Sequence, residues 1–285
     1  MNLAPTEPIA SQSVFDETLG RGPGRGRLSG RRIAVVGAGQ RPTPVGETVP
    51  VGNGRAASLL FAREGAQVAC IDSVPEAVEN TVQEICAAGG TAFAEVVDVR
   101  DAAVIAPLLK RCRERLGGLD GLLLNVGISH GLPLADLTAD SWDDEHAVNL
   151  RSHMLFAQAA LTTMDDGGAI VLMSSLAALR NSSGNPAYEA SKAAQVALSR
   201  AIAVAGEGRA LRCNAVMPGL MDTPMGRDAS RRSPGRATAV PFGRQGTGWE
   251  VAYACLFLLS HEASYVNGHA LLVDGGLFAG VTRKA

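Results

Sequence analysis

Short apolar runs alternate with helix-length segments along most of the chain. The first run is RIAVVG, which starts at Arg32, and the last is HALLVDGG, which ends at Gly276. The runs are apolar at nearly every position, as is typical of strands buried on both faces, and the segments between them carry apolar residues at helical spacing. The alternation predicts an α/β fold in a single domain, with a parallel sheet that helices cover on both faces.

Two parts of the chain lack this pattern. Residues 1–30 are rich in Pro, Gly, Ser and Arg and show no hydrophobic period, so we predict a flexible leader there and one domain over residues 31–285. Residues 220–247 are predicted to be an irregular connection that forms a lid over a binding site or a disordered loop. Its arginines suit either an anionic substrate or, more simply, a solvated loop. They are Arg227, Arg231, Arg232, Arg236 and Arg244.

The composition narrows the class of protein. The 285 residues carry a net charge of −2 and 46% of them are apolar, which fits a globular protein and gives no basis for a nucleic-acid or membrane-surface partner. No apolar run reaches the length of a membrane span. The five cysteines are an odd number with no pair at metal-ligand spacing, so we predict reduced core thiols, no metal and a cytoplasmic protein.

A glycine-rich stretch follows the first predicted strand. Gly37 ends the strand, Gly52, Asn53 and Gly54 open the first helix, and residues 41–51 are inserted between them. Glycines let a backbone approach a pyrophosphate closely, and the free N–H groups of a helix N-terminus supply partial positive charge. The stretch predicts a phosphate loop split by an insertion, although the glycines of an ordinary turn would look similar.

An acidic residue ends the second predicted strand. Asp72 lies 18 residues after Gly54, and no Arg or Lys stands beside it. A carboxylate there would accept hydrogen bonds from ribose hydroxyls and repel a 2′-phosphate, so we predict NAD rather than NADP. The alternative is that Asp72 caps the next helix. Asp98 and Val99, after the third strand, are predicted to contact the adenine, unless Asp98 caps the helix that starts near Asp101.

Tyr188 and Lys192 lie four residues apart in PAYEASKAA. On a helix they share one face. A free tyrosine has a pKa of about 10, which is too high for a base at neutral pH. An ammonium about 5 Å away, at an effective dielectric constant of about 20, favours the phenolate by about 3 kcal/mol. The pair predicts a tyrosine general acid/base that the lysine activates, although this spacing also occurs by chance.

Further candidates accompany this pair in chain order. Ser175 ends the fifth predicted strand, 13 residues before Tyr188, where it would hold the substrate oxygen. Asn149 is a polar residue in an otherwise apolar helical stretch. The remaining candidates follow the fourth and sixth predicted strands, where a cofactor would pass, and are Asn125, Gly127, Pro218, Gly219 and Thr223.

With these motifs, residues 32–276 resemble the short-chain dehydrogenases/reductases of the single-domain type. The resemblance implies a seven-stranded Rossmann fold, usually assembled as a homotetramer. Two departures stand out. Val126 occupies a position where the family usually has alanine, and the family's glycine loop lacks residues 41–51. The insertion would be either an exposed flap or a cover over the cofactor.

The resemblance also implies roles for individual residues. Tyr188 would exchange a proton with the substrate, and Ser175 would orient the substrate oxygen. Lys192 would lower the pKa of the tyrosine and hold the nicotinamide ribose. Asn149 would support a proton relay through its backbone and a water, and Thr223 would contact the cofactor.

The sequence therefore predicts an NAD-dependent oxidoreductase that interconverts a small secondary alcohol and a ketone. Two alternatives remain open: an NAD-using dehydratase or epimerase of the same fold, and an NAD-binding regulator without catalysis. The helix after Tyr188 and residues 142–161 are apolar on nearly every face, which favours a homo-oligomer, most simply a tetramer. His130 is predicted to line the pocket, and His146 and His153 to lie on a helix surface or at an interface.

Overall fold

The computed structural model describes residues 14–40, 50–180, 184–232 and 234–280, and a parallel sheet forms its centre. The sheet strands are β1 (Arg32–Val36), β2 (Gln67–Asp72), β3 (Thr91–Val96), β4 (Gly121–Leu124), β5 (Ala169–Met173), β6 (Arg212–Pro218) and β9 (Ala270–Val273). These seven strands run in the order β3-β2-β1-β4-β5-β6-β9, and every pair is parallel. The predicted fold class is confirmed.

Helices cover both faces of this sheet. They are α1 (Asn53–Arg63), α2 (Pro75–Ala87), α3 (Ala102–Leu116), α4 (Ala139–His146), α5 (Ser152–Thr163), α6 (Pro186–Ala205) and α8 (Gly248–Leu259). Ile33 and Val35 of β1 face the core cluster of α1, α2 and α8, whereas Ala34 and Val36 face the cluster of α3 and α5. Strand side chains alternate between the two faces, so a strand buried on both sides must be apolar throughout.

The strand order determines where on the sheet a ligand site can form. The chain builds β1, β2 and β3 outward in one direction, and then crosses back to lay β4 on the other side of β1. The loops that leave the carboxyl ends of β1 and β4 therefore diverge and leave a crevice between them. In open α/β sheets such a switch point is where ligands bind.

The helical stretch that carries Asn149 is interrupted. It consists of α4, a π-helical turn at Ala147–Arg151, and α5. Hydrophobic periodicity cannot reveal this interruption, because a π turn inserts its extra residue without breaking the run. The turn carries Asn149, and such turns are frequent at functional sites.

Residues 220–247 are more ordered than the sequence indicated. They contain a two-stranded sheet of β7 (Met221–Asp222) and β8 (Gly246–Thr247), the helix α7 (Pro224–Arg232) and a 3₁₀ turn at Arg236–Ala239. The helix α7 buries none of its side chains, so it has no apolar stripe from which it could have been predicted. Ser233 lies outside the described residues.

The prediction of a flexible leader over residues 1–30 needs correction for residues 14–30. This segment packs against the domain: Leu28 is fully buried, and the backbone N–H groups of Arg25 and Arg27 both donate to Glu64 Oε2, each at 2.9 Å. A Cβ on Gly20 would overlap the Trp249 ring, at 2.3 Å. These long-range contacts leave no hydrophobic period in the sequence. Residues 1–13 lie outside the described part of the chain.

Membrane insertion finds no support in the helices. Within the described ranges, no helix has both the length and the apolar character that crossing a bilayer requires.

Candidate active site

The glycine loop brings the end of β1 against the start of α1. Gly37 has a φ of +85°, a left-handed value that favours glycine. A Cβ on Gly54 would lie 1.8 Å from the Gly37 carbonyl oxygen, so only glycine permits this approach. Asn125 closes the loop from the β4 side, because its Nδ2 donates to the same carbonyl at 2.8 Å. Three of the predicted cofactor-binding residues, Gly37, Gly54 and Asn125, are thus in mutual contact.

The two ends of the insertion meet. The Gly52 N–H donates to Gln40 Oε1 at 3.0 Å, which joins the residue before the insertion to the residue after it. Gly52 is the N-cap of α1, and it leaves the N–H groups of the first turn without a side-chain cap. Residues 41–49 lie outside the described residues, so a cover over the cofactor stays a prediction.

Asp72 connects the glycine loop to the second helix. Its Oδ2 accepts the Gly39 N–H at 2.9 Å, and its Oδ1 accepts the Val74 N–H at 3.2 Å. The N-cap of α2 is Val74, so the alternative of Asp72 as the cap residue is wrong, although its carboxylate does support the turn into the helix. Among the described residues no ion pair joins Asp72 to an arginine or lysine.

The adenine-side candidates lie beyond β3. Asp98 is half-exposed, and its Oδ1 accepts the backbone N–H of Arg100 at 2.9 Å. The N-cap of α3 is Asp101, so the capping alternative for Asp98 is wrong. Val99 is only 6% exposed and packs into the core beside α3, which leaves its backbone as the group that could meet a cofactor.

The candidate reactive groups meet at the carboxyl end of β5. Asn185 caps α6, with its Oδ1 accepting the Tyr188 N–H at 3.3 Å, and this fixes the first turn that carries the tyrosine. Ser175 lies beside the Tyr188 hydroxyl and acts to lower the pKa of the tyrosine. Lys192 Nζ lies 5.5 Å from the centroid of the Tyr188 ring and donates to the Met173 carbonyl at 2.8 Å. The structure therefore brings three of the four predicted catalytic side chains, Ser175, Tyr188 and Lys192, together.

The electrostatics of the pair differ from the expectation that Lys192 lowers the pKa of Tyr188. In the protein alone, burial raises the pKa of Tyr188, although Ser175 opposes the rise. Burial also lowers the pKa of Lys192 to about 7, although the negative charge of Glu145 opposes this shift. A lysine that titrates near neutral pH is a weaker source of positive charge, so the expected activation is not built into the protein by itself.

Asn149 holds the segment that follows β4. Its Oδ1 accepts the Ile128 N–H at 2.8 Å, and its Nδ2 donates to the Ile128 carbonyl at 2.9 Å. Its own carbonyl accepts Gln195 Nε2. Gly127, just before this segment, leaves room for the lysine, because a Cβ there would lie 3.2 Å from Lys192 Nζ. The predicted water relay on the Asn149 carbonyl would have to share that oxygen with Gln195.

The candidates after β6 have mainly structural contacts. Pro218 ends the strand, and the Gly219 N–H donates to the Val273 carbonyl at 2.9 Å. A Cβ on Gly219 would lie 2.7 Å from Asp274 Cβ. Thr223 is 7% exposed, and its Oγ1 accepts the Gly226 N–H at 3.1 Å at the start of α7. Their predicted cofactor contacts remain predictions.

Sequence reasoning missed a buried carboxylate beside the reactive pair. Glu145 on α4 is fully buried, and its Oε1 accepts the His130 N–H at 2.7 Å and Asn185 Nδ2 at 3.3 Å. Its Oε2 has no hydrogen-bond partner among the described residues. Its negative charge raises the pKa of both Tyr188 and Lys192. The only signal was its position one helical turn before Asn149, inside the polar run DDEH.

One of the three histidines discussed in the sequence analysis, His153, differs from expectation. His153 is fully buried, not on a surface or at an interface: its Nε2 donates to the Val126 carbonyl at 3.1 Å, and its Nδ1 accepts Gln195 Nε2 at 3.0 Å. Burial lowers its pKa to about 3, so it stays neutral. His146 stacks on Trp142 at the surface. The His130 ring contacts Asp144 at 2.9 Å.

Comparisons with known proteins agree with this geometry. The family model described as enoyl-(acyl carrier protein) reductase matches residues 50–278. The 3-oxoacyl-[acyl-carrier-protein] reductase FabG of Thermotoga maritima is 33% identical over 256 residues, which cover 88% of this chain and 99% of the relative. The 2-(S)-hydroxypropyl-CoM dehydrogenase 3 of Xanthobacter autotrophicus is 35% identical over 262 residues, which cover 89% and 98%.

Solved structures show the same likeness. A short-chain dehydrogenase/reductase from Serratia marcescens superposes with a TM-score of 0.80 at 30% identity, and the match covers 88% of this chain and 99% of that one. A short chain dehydrogenase from Mycobacterium smegmatis superposes with a TM-score of 0.78 at 28% identity, with 93% and 98% covered. The match thus extends over nearly the whole of each of these proteins.

Proposed function

The chain belongs to the short-chain dehydrogenase/reductase family and is an oxidoreductase acting on CH–OH groups, and from this premise we propose that it uses NAD to interconvert a secondary alcohol and a ketone. The observation that carries the proposal is the meeting of Ser175, Tyr188 and Lys192 beside the glycine loop. A regulator that only bound NAD would need neither a buried tyrosine nor a lysine held next to it.

The residues of the loop fit a dinucleotide. Where Gly37 and Gly54 approach each other, no side chain stands between the backbone and a ligand. The first turn of α1 offers N–H groups without a side-chain cap. Beside them, Asn53 Oδ1 is buried and has no partner among the described residues, so it is an acceptor that a hydroxyl of the cofactor, though not its diphosphate, would satisfy. Gly37, Gly52, Asn53 and Gly54 would hold the diphosphate, as helix N-termini do for other phosphates.

Tyr188 would exchange the proton. In the direction from alcohol to ketone, the substrate O–H bond breaks, its proton passes to the Tyr188 oxygen, and the C=O bond forms as the carbinol hydrogen leaves as hydride. NAD, when bound, supplies the hydride acceptor. Ser175 orients the substrate oxygen through its hydroxyl. Lys192 Nζ lies 5.5 Å from the centroid of the Tyr188 ring, where its ammonium form would favour the phenolate that accepts this proton.

Asp72 supports NAD as the cofactor. Its carboxylate is held at the loop by the Gly39 and Val74 N–H groups, at the place where an adenosine ribose would lie. A 2′-phosphate there would face an uncompensated negative charge. Oxygen atoms of the same carboxylate would accept hydrogen bonds from the hydroxyls of NAD.

The direct test of the function is turnover. The purified protein is incubated with NAD and a panel of secondary alcohols, and the formation of NADH is followed by absorbance; the same panel is run with NADP. We expect NADH to form with members of the panel, and more slowly or not at all with NADP. A protein that binds NAD but oxidises no alcohol and reduces no ketone would contradict the proposal.

Replacing Asp72 with Ala should reduce the preference for NAD over NADP by about 10- to 100-fold, measured as the ratio of the two kcat/KM values. The reason is that the variant removes the repulsion between the Asp72 carboxylate and the 2′-phosphate of NADP. Glu79→Ala is the matched control, since it removes an exposed acid from the neighbouring helix α2. An unchanged ratio in Asp72→Ala would show that Asp72 does not select the cofactor.

Replacing Glu145 with Gln should move the acidic limb of the pH profile of kcat/KM for alcohol oxidation to lower pH. The negative charge of Glu145 raises the pKa of Tyr188, so its removal lets the phenolate form at lower pH. The amide of glutamine keeps an oxygen that accepts from His130 and Asn185, so the variant removes the negative charge and keeps these two hydrogen bonds.

The control for this experiment is Asp144→Asn, because Asp144 is the adjacent acid and pairs with Arg100 at the surface. Its profile should stay where the wild-type profile lies. A Glu145→Gln limb that stays in place or moves to higher pH would contradict the electrostatic role.

The surface of α6 supports assembly. Four apolar side chains at helical spacing lie exposed along it: Ala193, Ala197, Ala201 and Val204. Trp142 on α4 and Met154 on α5 are also exposed, at 37% and 40%. We propose that these helices pack against other copies in a homotetramer. Sedimentation at micromolar concentration should give four times the chain mass of 29.5 kDa, and a monomeric mass would refute the assembly.

The cysteines support a cytoplasmic location. All five are free, and four of them are buried. Burial raises the pKa of Cys70 and of Cys112 to about 12, so these thiols stay protonated and unreactive. Free core thiols are usual in a reducing compartment.

A further inference from the structure

The five arginines between β6 and α8 fall into two groups. Three of them have a carboxylate partner: Arg227 pairs with Asp222 at 2.8 Å, Arg231 with Asp228 at 2.8 Å, and Arg244 with Glu250 at 2.7 Å. In the described part of the chain, neither Arg232 nor Arg236 forms an ion pair.

The two arginines without an acid partner lie at the mouth of the site. Arg236 is half-buried in the 3₁₀ turn after α7, and its charge acts on Tyr188, where it opposes the rise of the tyrosine pKa. Arg232 ends α7, and its guanidinium lies against the segment after β4, where a Cβ on Gly131 would be 3.4 Å from the guanidinium carbon. That segment continues from Gly127, which borders Lys192.

The two guanidinium groups also act on each other. The charge of Arg232 lowers the pKa of Arg236, in the same direction as the larger effect of burial. Bringing two cations together, one of them partly desolvated, is unfavourable unless an anion joins them.

Two acids of α4 lie near the site, and among the described residues neither forms an ion pair with Arg232 or Arg236. Glu145 accepts the His130 N–H and Asn185 Nδ2 through Oε1, and Asp144 pairs with Arg100 and His130. On the tyrosine side the facing groups are Glu145, whose negative charge raises the pKa of both Tyr188 and Lys192, and Lys192 itself, whose pKa burial lowers to about 7. Arg232 and Arg236 therefore stand near the site without an ion-pair partner among the described carboxylates.

We propose that Arg232 and Arg236 bind an oxyanion, most simply a carboxylate, carried by the substrate at some distance from its reacting carbon. The inference rests on the proposed function and names its substrate class: a hydroxy acid and the matching keto acid. A planar guanidinium presents two parallel N–H donors to a carboxylate, which gives both affinity and orientation. The anion would lie between α7 and the segment after β4, with the carbonyl carbon directed toward Tyr188.

The test uses keto acids of increasing length and their methyl esters. The probes are 3-oxobutanoate, 4-oxopentanoate and 5-oxohexanoate, each with its uncharged ester, reduced with NADH. For the acid of suitable length we expect kcat/KM to exceed that of its ester by about 10- to 100-fold, the value of one or two charge-assisted hydrogen bonds. In the double variant Arg232→Gln/Arg236→Gln the ratio of acid to ester should fall to about one.

Arg231→Gln is the matched control, because it removes a charge from the same helix that already has an acid partner in Asp228. It should keep the wild-type ratio. Added salt should lower the ratio in the wild type and leave it unchanged in the double variant. A wild-type ratio of one or below, or an undiminished ratio in the double variant, would overturn the proposal.

A binding measurement separates this proposal from the proposed function. Calorimetry with 4-oxopentanoate is performed on the wild type and the double variant in the presence of NAD, where a ketone has no reductant. A dissociation constant that weakens about tenfold or more in the double variant supports the anion site, even if no ketone in the panel is turned over. Equal binding in the two proteins overturns it, even if neutral ketones are good substrates.

Discussion

Replacing Tyr188 with Phe should lower kcat for alcohol oxidation by about 10²- to 10⁴-fold, the usual contribution of a positioned general acid/base. The phenyl ring keeps the shape of the side chain and removes only the oxygen that meets Ser175. The glycine loop does not depend on that oxygen, because Gly37, Gly54 and Asn125 are joined to one another. NAD affinity should therefore change by less than about threefold.

Steady-state turnover and calorimetric titration with NAD measure the two effects separately. Tyr265→Phe is the matched control, since Tyr265 is fully exposed, and it should behave as wild type. If Tyr188→Phe retained more than about a tenth of the activity, another group would have to carry the proton.

Replacing Gly54 with Ala should destabilise the protein by about 3 kcal/mol or more and abolish NAD binding at ordinary concentrations. The added methyl group would lie 1.8 Å from the Gly37 carbonyl oxygen and 2.5 Å from Asn125 Nδ2. The Gly37 oxygen is a backbone atom and Asn125 Nδ2 is held by its hydrogen bond to that oxygen, so β1 and α1 would have to separate. The phosphate loop is the part of the molecule that this separation distorts.

Urea unfolding and NAD titration measure the outcome. Gly208→Ala is the control, because a Cβ on Gly208 meets nothing within 4 Å. It should leave stability within about 1 kcal/mol of wild type. A Gly54→Ala protein as stable as Gly208→Ala, with unchanged NAD affinity, would contradict the packing described for the loop.

The strands and the reactive pair were predictable from the sequence for simple reasons. A strand buried on both faces must be apolar throughout, so an apolar run such as AIVLM at β5 predicts a buried strand. Tyr188 and Lys192 lie one helical turn apart, so their proximity follows from helix geometry alone. Ser175 was predictable because the end of a parallel strand faces the same edge as its neighbours.

The features that were missed depend on contacts between distant parts of the chain. Leu28 is the single apolar anchor of a polar segment, and no period marks it. The pKa of Lys192 depends on its burial in the folded protein, and the four-residue spacing from Tyr188 gives no information about that burial. Glu145 looks like one more acid in a polar run, and only the packing of α4 against α6 turns it toward the tyrosine. The division of the five arginines by their acid partners likewise required the tertiary structure.

The hydrogen bond between Gln40 and Gly52, which closes the base of the insertion, has an evolutionary and a practical consequence. Gln40 and Gly52 are joined by a hydrogen bond, so the phosphate loop is complete at its base whatever number of residues lies between them. Lengthening a loop whose ends are already fixed costs only about 0.6 kcal/mol for each doubling of its length. Natural variants should therefore differ freely in length at this position. It is also a place where a reporter peptide could be grafted next to a cofactor site without rebuilding it.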